Sequence, residues 1–360
     1  MNKISKFDVL IVYSEKLAVS ASDVNVATTP FQKTSSSESY SVVYGYFMEI
    51  CSRFGLKAAF TTSKDIVGPG TCSSFWQFKN NKWLKVNRPC FSTLIFDKFS
   101  PKRIGVKTRR DLLFSKAEIK PFNDPDLFNL FFDKQKTYEK LSKYAIPTIS
   151  LGEGNTSASV EKACLALNKL LDQHPDSGDF GTDIIMKDRF GAGGRHIFKF
   201  KSGQPKKMLA AMERNPKVSY IIQPFALFDK GFSYQKCFAS TDIRLIYLKG
   251  EIVQSYIRVA KSGDFRCNEH RGGLLTYLST DELPKALVAK SGLIAKLLNK
   301  NCSLFTLDFI MSNSGNAYFL EGNTGPGLDW NMSLKRNEIE AKKLIRMVVR
   351  ELGVRANYIN

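Results

Sequence analysis

The chain has 360 residues, 43% of them hydrophobic and 24% charged, which allows two or three domains with cores of their own and excludes a disordered or fibrous protein. No apolar run reaches the roughly 20 residues that span a bilayer, and the start, Met1-Asn-Lys-Ile-Ser-Lys-Phe-Asp8, lacks a signal-peptide core and cleavage site. A cytoplasmic protein without a membrane partner is therefore expected, and its net charge of +19 favours acidic partners without choosing among nucleotide, acidic peptide, nucleic acid or an anionic surface.

In chain order, Phe7 to Tyr13 reads as a buried first strand, Val24 to Ser41 as a loop, Tyr44 to Gly55 as a helix ending at glycine and Leu56 to Thr62 as a second strand. This β-α-β start predicts an α/β domain over residues 1–120, with a further strand at Phe91 to Asp97 and a basic surface stretch from Lys98 to Arg110. Phe122-Asn-Asp-Pro125 marks a boundary, because proline and its predecessor resist helix. A central segment, 121–218, follows: a helical stretch from Asp126 to Tyr144, a helix from Ser159 to His174, strands at Asp183 to Lys187 and Ile197 to Phe200, and a helix near Pro205 to Arg214. The last segment, 219–360, opens on a strand at Ser219 to Gln223. It continues with strands at Asp242 to Leu248 and Glu251 to Val259, a helix at Thr280 to Asn299, a hairpin and a closing helix near Asn337 to Leu352.

Seven cysteines, at 51, 72, 90, 164, 237, 267 and 302, form no Cys-x-x-Cys pair, so neither a disulfide framework nor a zinc knuckle is indicated. Three histidines make a histidine-rich metal site improbable on supply alone.

Three stretches carry chemistry. In the hairpin, two β-rich runs flank Ser312-Asn-Ser-Gly315, and each carries a carboxylate among apolar residues, Asp308 and Glu321. Asn323 lies two residues beyond Glu321 and so shares its face of the strand. Three oxygen donors suit magnesium, which keeps waters and borrows phosphate oxygens; a solvated hairpin has the same outline. The second stretch, Lys187-Asp-Arg-Phe-Gly191-Ala-Gly193-Gly194-Arg-His196, joins two strands and can turn its N–H groups onto polyphosphate, although a Gly-rich turn looks similar. It fits neither the dinucleotide fingerprint nor the P-loop. Gln223-Pro-Phe225 ends a strand where an adenine edge can be met, although an ordinary strand end looks the same. In the third stretch, Asp242-Ile-Arg244 and Arg258 precede Gly263-Asp-Phe-Arg266-Cys-Asn268-Glu-His-Arg271-Gly-Gly273, whose forked guanidiniums suit carboxylate and phosphate oxygens. A salt-bridge cluster is the alternative, with Arg244 beside Asp242 as its first member.

In order and spacing these motifs resemble the ATP-grasp superfamily, within it the carboxylate–amine ligases of the RimK type, over roughly Asp126 to Leu352. The resemblance implies an α/β fold of the α+β ATP-grasp kind, an N-terminal domain followed by two lobes with ATP between them. It implies that Lys134 and Lys187 touch ATP phosphates, that Gly191, Gly193 and Gly194 close over them, and that Gln223 and Phe225 form the adenine hinge. Asp308, Glu321 and Asn323 would hold one or two magnesium ions, with manganese as a substitute. Arg258, Arg266 and Asn268 would face an acyl phosphate, and Gly327 would offer backbone to the oxyanion. Two departures stand: Asp229-Lys-Gly-Phe-Ser-Tyr234 lengthens the chain before Asp242, which hides the ribose-binding acid, and the first 120 residues match only a general α/β plan.

The expected reaction is ATP-dependent amide or peptide bond formation on small-molecule or peptide substrates, at least one of them acidic, in a chain that could self-associate. The alternatives are an ATP-grasp kinase, or a basic protein that binds RNA or acidic partners without turnover. Lys and Arg are spread rather than clustered, which does not indicate nucleic acid.

Overall fold

The computed structural model describes residues 4–24, 26–31, 37–100, 104–152, 156–191, 193–202, 204–235, 237–269, 272–300, 302–328 and 334–359. Two compact units emerge, Met1–Asp124 with Gly325–Asn360, and Pro125–Thr324.

The first unit is built on β1 (Val9–Tyr13), whose apolar run is buried along its whole length, as a strand covered on both faces requires. Helix α1 (Ser37–Arg53) leads to β2 (Ala58–Thr62), parallel to β1. α1 begins within the stretch read as a loop. Next comes a hairpin absent from the sequence reading, β3 (Phe75–Lys79) and β4 (Lys82–Val86). Its two-residue turn places Asn80 and Asn81 at φ 49° and 59°, a left-handed pair that asparagine tolerates. β5 (Leu94–Lys98), α2 (Ile104–Leu113) and β6 (Lys120–Pro121) complete a sheet of order β6-β5-β1-β2-β3-β4. The basic stretch read as surface is partly interior: Arg110 is buried, with Nε and NH2 donating to Asp97 Oδ2 at 3.1 and 2.8 Å.

The second unit starts with α3 (Pro125–Phe132) and α4 (Lys134–Leu141). The single helical stretch expected there is broken at Asp133, whose carboxylate leaves the helix to cap α4 by accepting from the amides of Gln135 and Lys136. An antiparallel sheet follows, made of β7 (Ile149–Ser150), β8 (Phe180–Asp188), β9 (Ile197–Phe200) and β10 (Tyr220–Ala226) in the order β7-β10-β8-β9. Helices α5 (Ser157–Asp172) and α6 (Pro205–Glu213) share its core.

A five-stranded antiparallel sheet completes the unit, with β11 (Thr241–Leu248), β12 (Glu251–Val259), β13 (Leu274–Leu278), β14 (Phe305–Met311) and β15 (Ala317–Asn323) in the order β13-β12-β11-β14-β15. Helix α7 (Lys285–Leu298) buries Leu287, Ile294 and Leu298 in the core beneath it. The lengthened segment before β11 is built in: Phe232 enters that core, and a Cβ on Gly231 would stand 1.9 Å from the Met311 carbonyl.

The closing helix α8 (Lys335–Ile359) packs on α1 and so joins the first unit, not the segment 219–360 in which chain order placed it. Among the described residues no helix is long and apolar enough to cross a membrane.

Candidate active site

A cavity of about 120 Å³ lies within the second unit. Lys134, Lys187, Gly191, Gly193, Gly194, Gln223, Phe225, Arg258, Arg266, Asn268 and Glu321 all line it, so residues singled out across nearly two hundred positions meet around one space.

On one wall β8 delivers Lys187, 6% exposed, and the N-terminus of α4 delivers Lys134. Lys134 Nζ donates to the Gly191 carbonyl, and the Lys134 amide donates to the Arg189 carbonyl at 3.1 Å. Arg189 forks onto Asp133 through Nε at 2.7 Å and NH2 at 2.6 Å. The start of α4 and the glycine loop are thereby tied together. Burial and the charge of Lys134 push the Lys187 ammonium down to about 8, against an upward pull from Glu321. Burial lowers Lys134 as well, partly offset by Glu321 and Asp188.

The loop needs its glycines. Gly193 and Gly194 sit at φ 70° and 68°, and a Cβ on Gly191 would meet the Asp188 Cβ at 2.6 Å. Asp188 fixes the turn, its Oδ1 accepting from the Phe190 amide at 2.8 Å.

The strand-end wall carries Gln223, whose Nε2 donates to Thr148 Oγ1 at 2.7 Å, and Phe225, which meets Phe265 edge to face at 5.6 Å. Lys199 Nζ stands 3.4 Å from the Phe225 ring centroid.

The opposite wall is set by register. Tyr256, Arg244, Asp308 and Glu321 face one another directly across β12, β11, β14 and β15. On the next row but one, Arg258 faces Asp242. A bulge at Leu320 interrupts β15 immediately beside the Asp308–Glu321 pair, between that row and the Phe309–Phe319 pair. Arg244 donates to Asp308 through Nε at 2.7 Å and NH2 at 2.5 Å, and lies 3.9 Å from Glu321. Arg258 forks onto Asp242 at 2.7 and 2.9 Å, and its NH2 also reaches Asp308 Oδ2 at 2.8 Å. Burial raises the Asp242 carboxyl, which has one guanidinium fork; burial acts on Asp308 in the same sense, but two guanidiniums overcome it and hold Asp308 low. Arg244 is therefore an ion-pair residue, as suspected, but its partner is Asp308 and not the neighbouring Asp242.

Other sequence-predicted residues stand differently. Asp308 is fully buried behind the wall rather than lining the cavity, and Asn323 pairs across the hairpin with Thr306. Arg266 forks onto Asp264 through Nε at 3.0 Å and NH2 at 2.7 Å, so its charge is matched locally. Gly327 is exposed and belongs to the first unit, and Arg271 lies outside the described residues. Sequence reasoning passed over Asp133, Thr148, Asp188 and Phe265. Of these, only Asp133 had a readable signal, an N-cap residue type immediately ahead of the helical run that starts at Lys134.

The donors Asp308, Glu321 and Asn323 are all hard oxygens. Among the described residues no three His, Cys, Asp or Glu side chains gather into a metal cluster. A cation here would have two carboxylates and an amide, a set that suits magnesium completing its shell with water and phosphate.

A family model, the RimK-like ATP-grasp domain, matches residues 133–348. A probable alpha-L-glutamate ligase of Shewanella pealeana is 27% identical over 177 residues, 49% of this chain and 35% of that protein. The chain spans less than half the length of the curated relatives it matches. Among solved structures, D-alanyl-alanine synthetase A from Vibrio cholerae O1 superposes with a TM-score of 0.57 at 13% identity, covering 97% of this chain and 98% of that one. The ATP-grasp ligase PsnB, complexed with a phosphomimetic variant of its minimal precursor, Mg and ADP, superposes at 0.54 and 11%, covering 97% and 100%. The fold is thus the α+β ATP-grasp fold.

Proposed function

Because the chain belongs to the RimK-like ATP-grasp family, we propose that it is an ATP-dependent carboxylate–amine ligase that forms an amide through an acyl phosphate and releases ADP and phosphate. The observation that carries this reading is the meeting of Lys134, Lys187, the glycine loop, Arg258 and Glu321 on one cavity.

A free carboxylate is a poor electrophile, so the γ-phosphoryl of ATP is first transferred to it and the phosphate later leaves as the amine attacks. The protein's task is to hold the reactants and neutralise charge on the phosphoryl oxygens. Lys187 and Lys134 supply two positive charges at the glycine loop, whose backbone N–H groups cradle phosphate. Gln223 and Phe225 bound the nucleobase end. Arg258, fixed by Asp242, meets the transferring phosphoryl. Asp308, Glu321 and Asn323 would hold magnesium, which supplies Lewis-acid charge when bound. No protein nucleophile is required.

Glutamate is the first amino acid to try, since the relatives are named as probable glutamate ligases and the net charge of +19 draws anions. The arginines of the block add no independent support for an acidic substrate, because Arg258 and Arg266 are matched by Asp242, Asp308 and Asp264. The test is ADP release with magnesium-ATP across acidic, neutral and basic amino acids and peptides, with mass spectrometry of the products. An amide with loss of water supports ligation. A product that retains phosphate identifies a kinase, and absence of nucleotide binding overturns the reading.

A further inference from the structure

The Asp242-Ile-Arg244 segment of β11 has a task that neither the fold nor the family match assigns to it. Its two charged residues serve different partners on opposite neighbouring strands: Asp242 turns to Arg258 on β12, and Arg244 turns to Asp308 on β14. All three guanidinium nitrogens of Arg244 are engaged, Nε and NH2 by Asp308 and NH1 by the Tyr256 hydroxyl at 3.3 Å. Arg244 does not line the cavity, so any effect it has on ligands passes through Asp308, which it forks onto, or through Glu321, 3.9 Å away. Arg258 is the reverse case. It lines the cavity, its Nε and NH2 are spent on Asp242 and Asp308, and NH1 is the nitrogen without a protein acceptor among the described residues.

A forked guanidinium–carboxylate pair fixes a plane as well as a distance. With both oxygens of Asp242 engaged, the Arg258 plane cannot rotate, and NH1 has a defined position. With both oxygens of Asp308 engaged by Arg244, that carboxylate cannot swing on its χ2 axis. Two carboxylates and two guanidiniums alternate across the three strands and cancel, so each can stay charged where burial would otherwise disfavour it.

We infer that Asp242 and Arg244 are positioning residues: Asp242 aims the Arg258 guanidinium at the transferring phosphoryl, and Arg244 orients the Asp308 carboxylate as a metal ligand. This rests on the ligase reading for the identity of the phosphoryl. The Arg244 half can be measured without turnover.

The test uses the full-length chain and three probes that need no knowledge of the amine or carboxylate: ADP, Mn2+ in the presence of ADP, and ADP with aluminium fluoride as a phosphoryl mimic. Arg244→Lys keeps the charge but loses the fork. Its Mn2+ affinity, read by electron paramagnetic resonance titration, is expected to fall at least tenfold with ADP affinity within threefold of wild type. Asp242→Asn keeps the shape but loses the charged acceptor. Its affinity for ADP–aluminium fluoride is expected to fall at least tenfold, with ADP alone and Mn2+ unchanged.

If Arg244→Lys destabilises the fold, Tyr256→Phe, which releases only NH1, is expected to weaken Mn2+ binding by about threefold in a protein that melts normally. Wild-type Mn2+ and aluminium fluoride affinities in both variants, with only the melting temperature lowered, would overturn the inference and leave a purely structural cluster. Wild-type protein that binds Mn2+ and ADP yet makes no amide would instead sink the ligase reading while the Arg244 result stands.

Discussion

The two charged walls of the cavity follow opposite principles. On the glycine-loop side Lys187 is buried with no acceptor among the described residues, and its pKa falls to about 8 because water has been removed and a second lysine stands near. On the β11–β14 side every buried charge has a partner within 2.9 Å. The first wall holds positive charge that nearby carboxylates offset only in part, so an anion arriving there gains what the fold gave up. The second wall has been neutralised in advance and offers geometry rather than net charge. A lysine suits the former, a point charge on a flexible stem, and arginine forks suit the latter.

Breaking the second wall is expected to have the largest effects. Glu321→Gln removes a partly exposed carboxylate onto which no guanidinium forks, so turnover should fall by about 100-fold or more, roughly 2.7 kcal/mol of barrier, while the melting temperature stays near wild type. Steady-state kinetics beside a thermal melt checks this, and turnover within about tenfold would show that the metal site has been misplaced. Asp308→Asn differs because it leaves two guanidiniums short of an acceptor. It should cost stability as well, on the order of 3–5 kcal/mol, seen as a lower midpoint in urea.

The first wall should respond in the contrary sense. Lys187→Met removes a buried charge that is offset only in part, so the nucleotide-free protein should melt no lower than wild type while ATP binding weakens by about tenfold or more. A variant that loses stability in parallel with binding would mean that the lysine has a protein partner after all.

The same lysine gives a pH signature. Lys187 is charged below about 8 and neutral above it in the nucleotide-free protein, so ATP affinity should decline as pH rises through 8, and binding above that pH should take up a proton. Calorimetry in two buffers of different ionisation heat measures the uptake. Since the folded value lies below the ordinary 10.5, the unfolded chain binds the extra proton between the two. This group's contribution to stability therefore rises with pH across that window and is lost as pH falls through it.

The smallest expected effect is on the loop itself. The amides of Gly193 and Arg195 should exchange hydrogen more slowly with magnesium-ATP than without it, because phosphate oxygens accept from them. Equal exchange in both states would remove the loop from the phosphate site.

Several features of this protein are determined by the sequence alone. The hairpin with facing Asp308 and Glu321 follows from alternation and a Ser-Asn-Ser-Gly turn, both local properties. The break at Pro125 follows from what a proline ring forbids, and the β8–loop–β9 unit from three glycines between β-rich runs. The β3–β4 hairpin, absent from the sequence reading, had a local signal of its own in Asn80-Asn81 between aromatic-containing strands. Tertiary structure decided the rest, because the deciding quantity was which strand lies beside which. Asp242 and Arg244 are two residues apart and look like a pair, but on a strand each meets the residues opposite it on neighbouring strands. Register therefore gave them to Arg258 and Asp308. The amphipathic pattern of α8 says that one face is buried but not against what, and the fold supplied α1. Lys187 reads in the sequence as a strand-end lysine beside a glycine loop, and only its burial next to Lys134, rather than the residue type, sets its pKa.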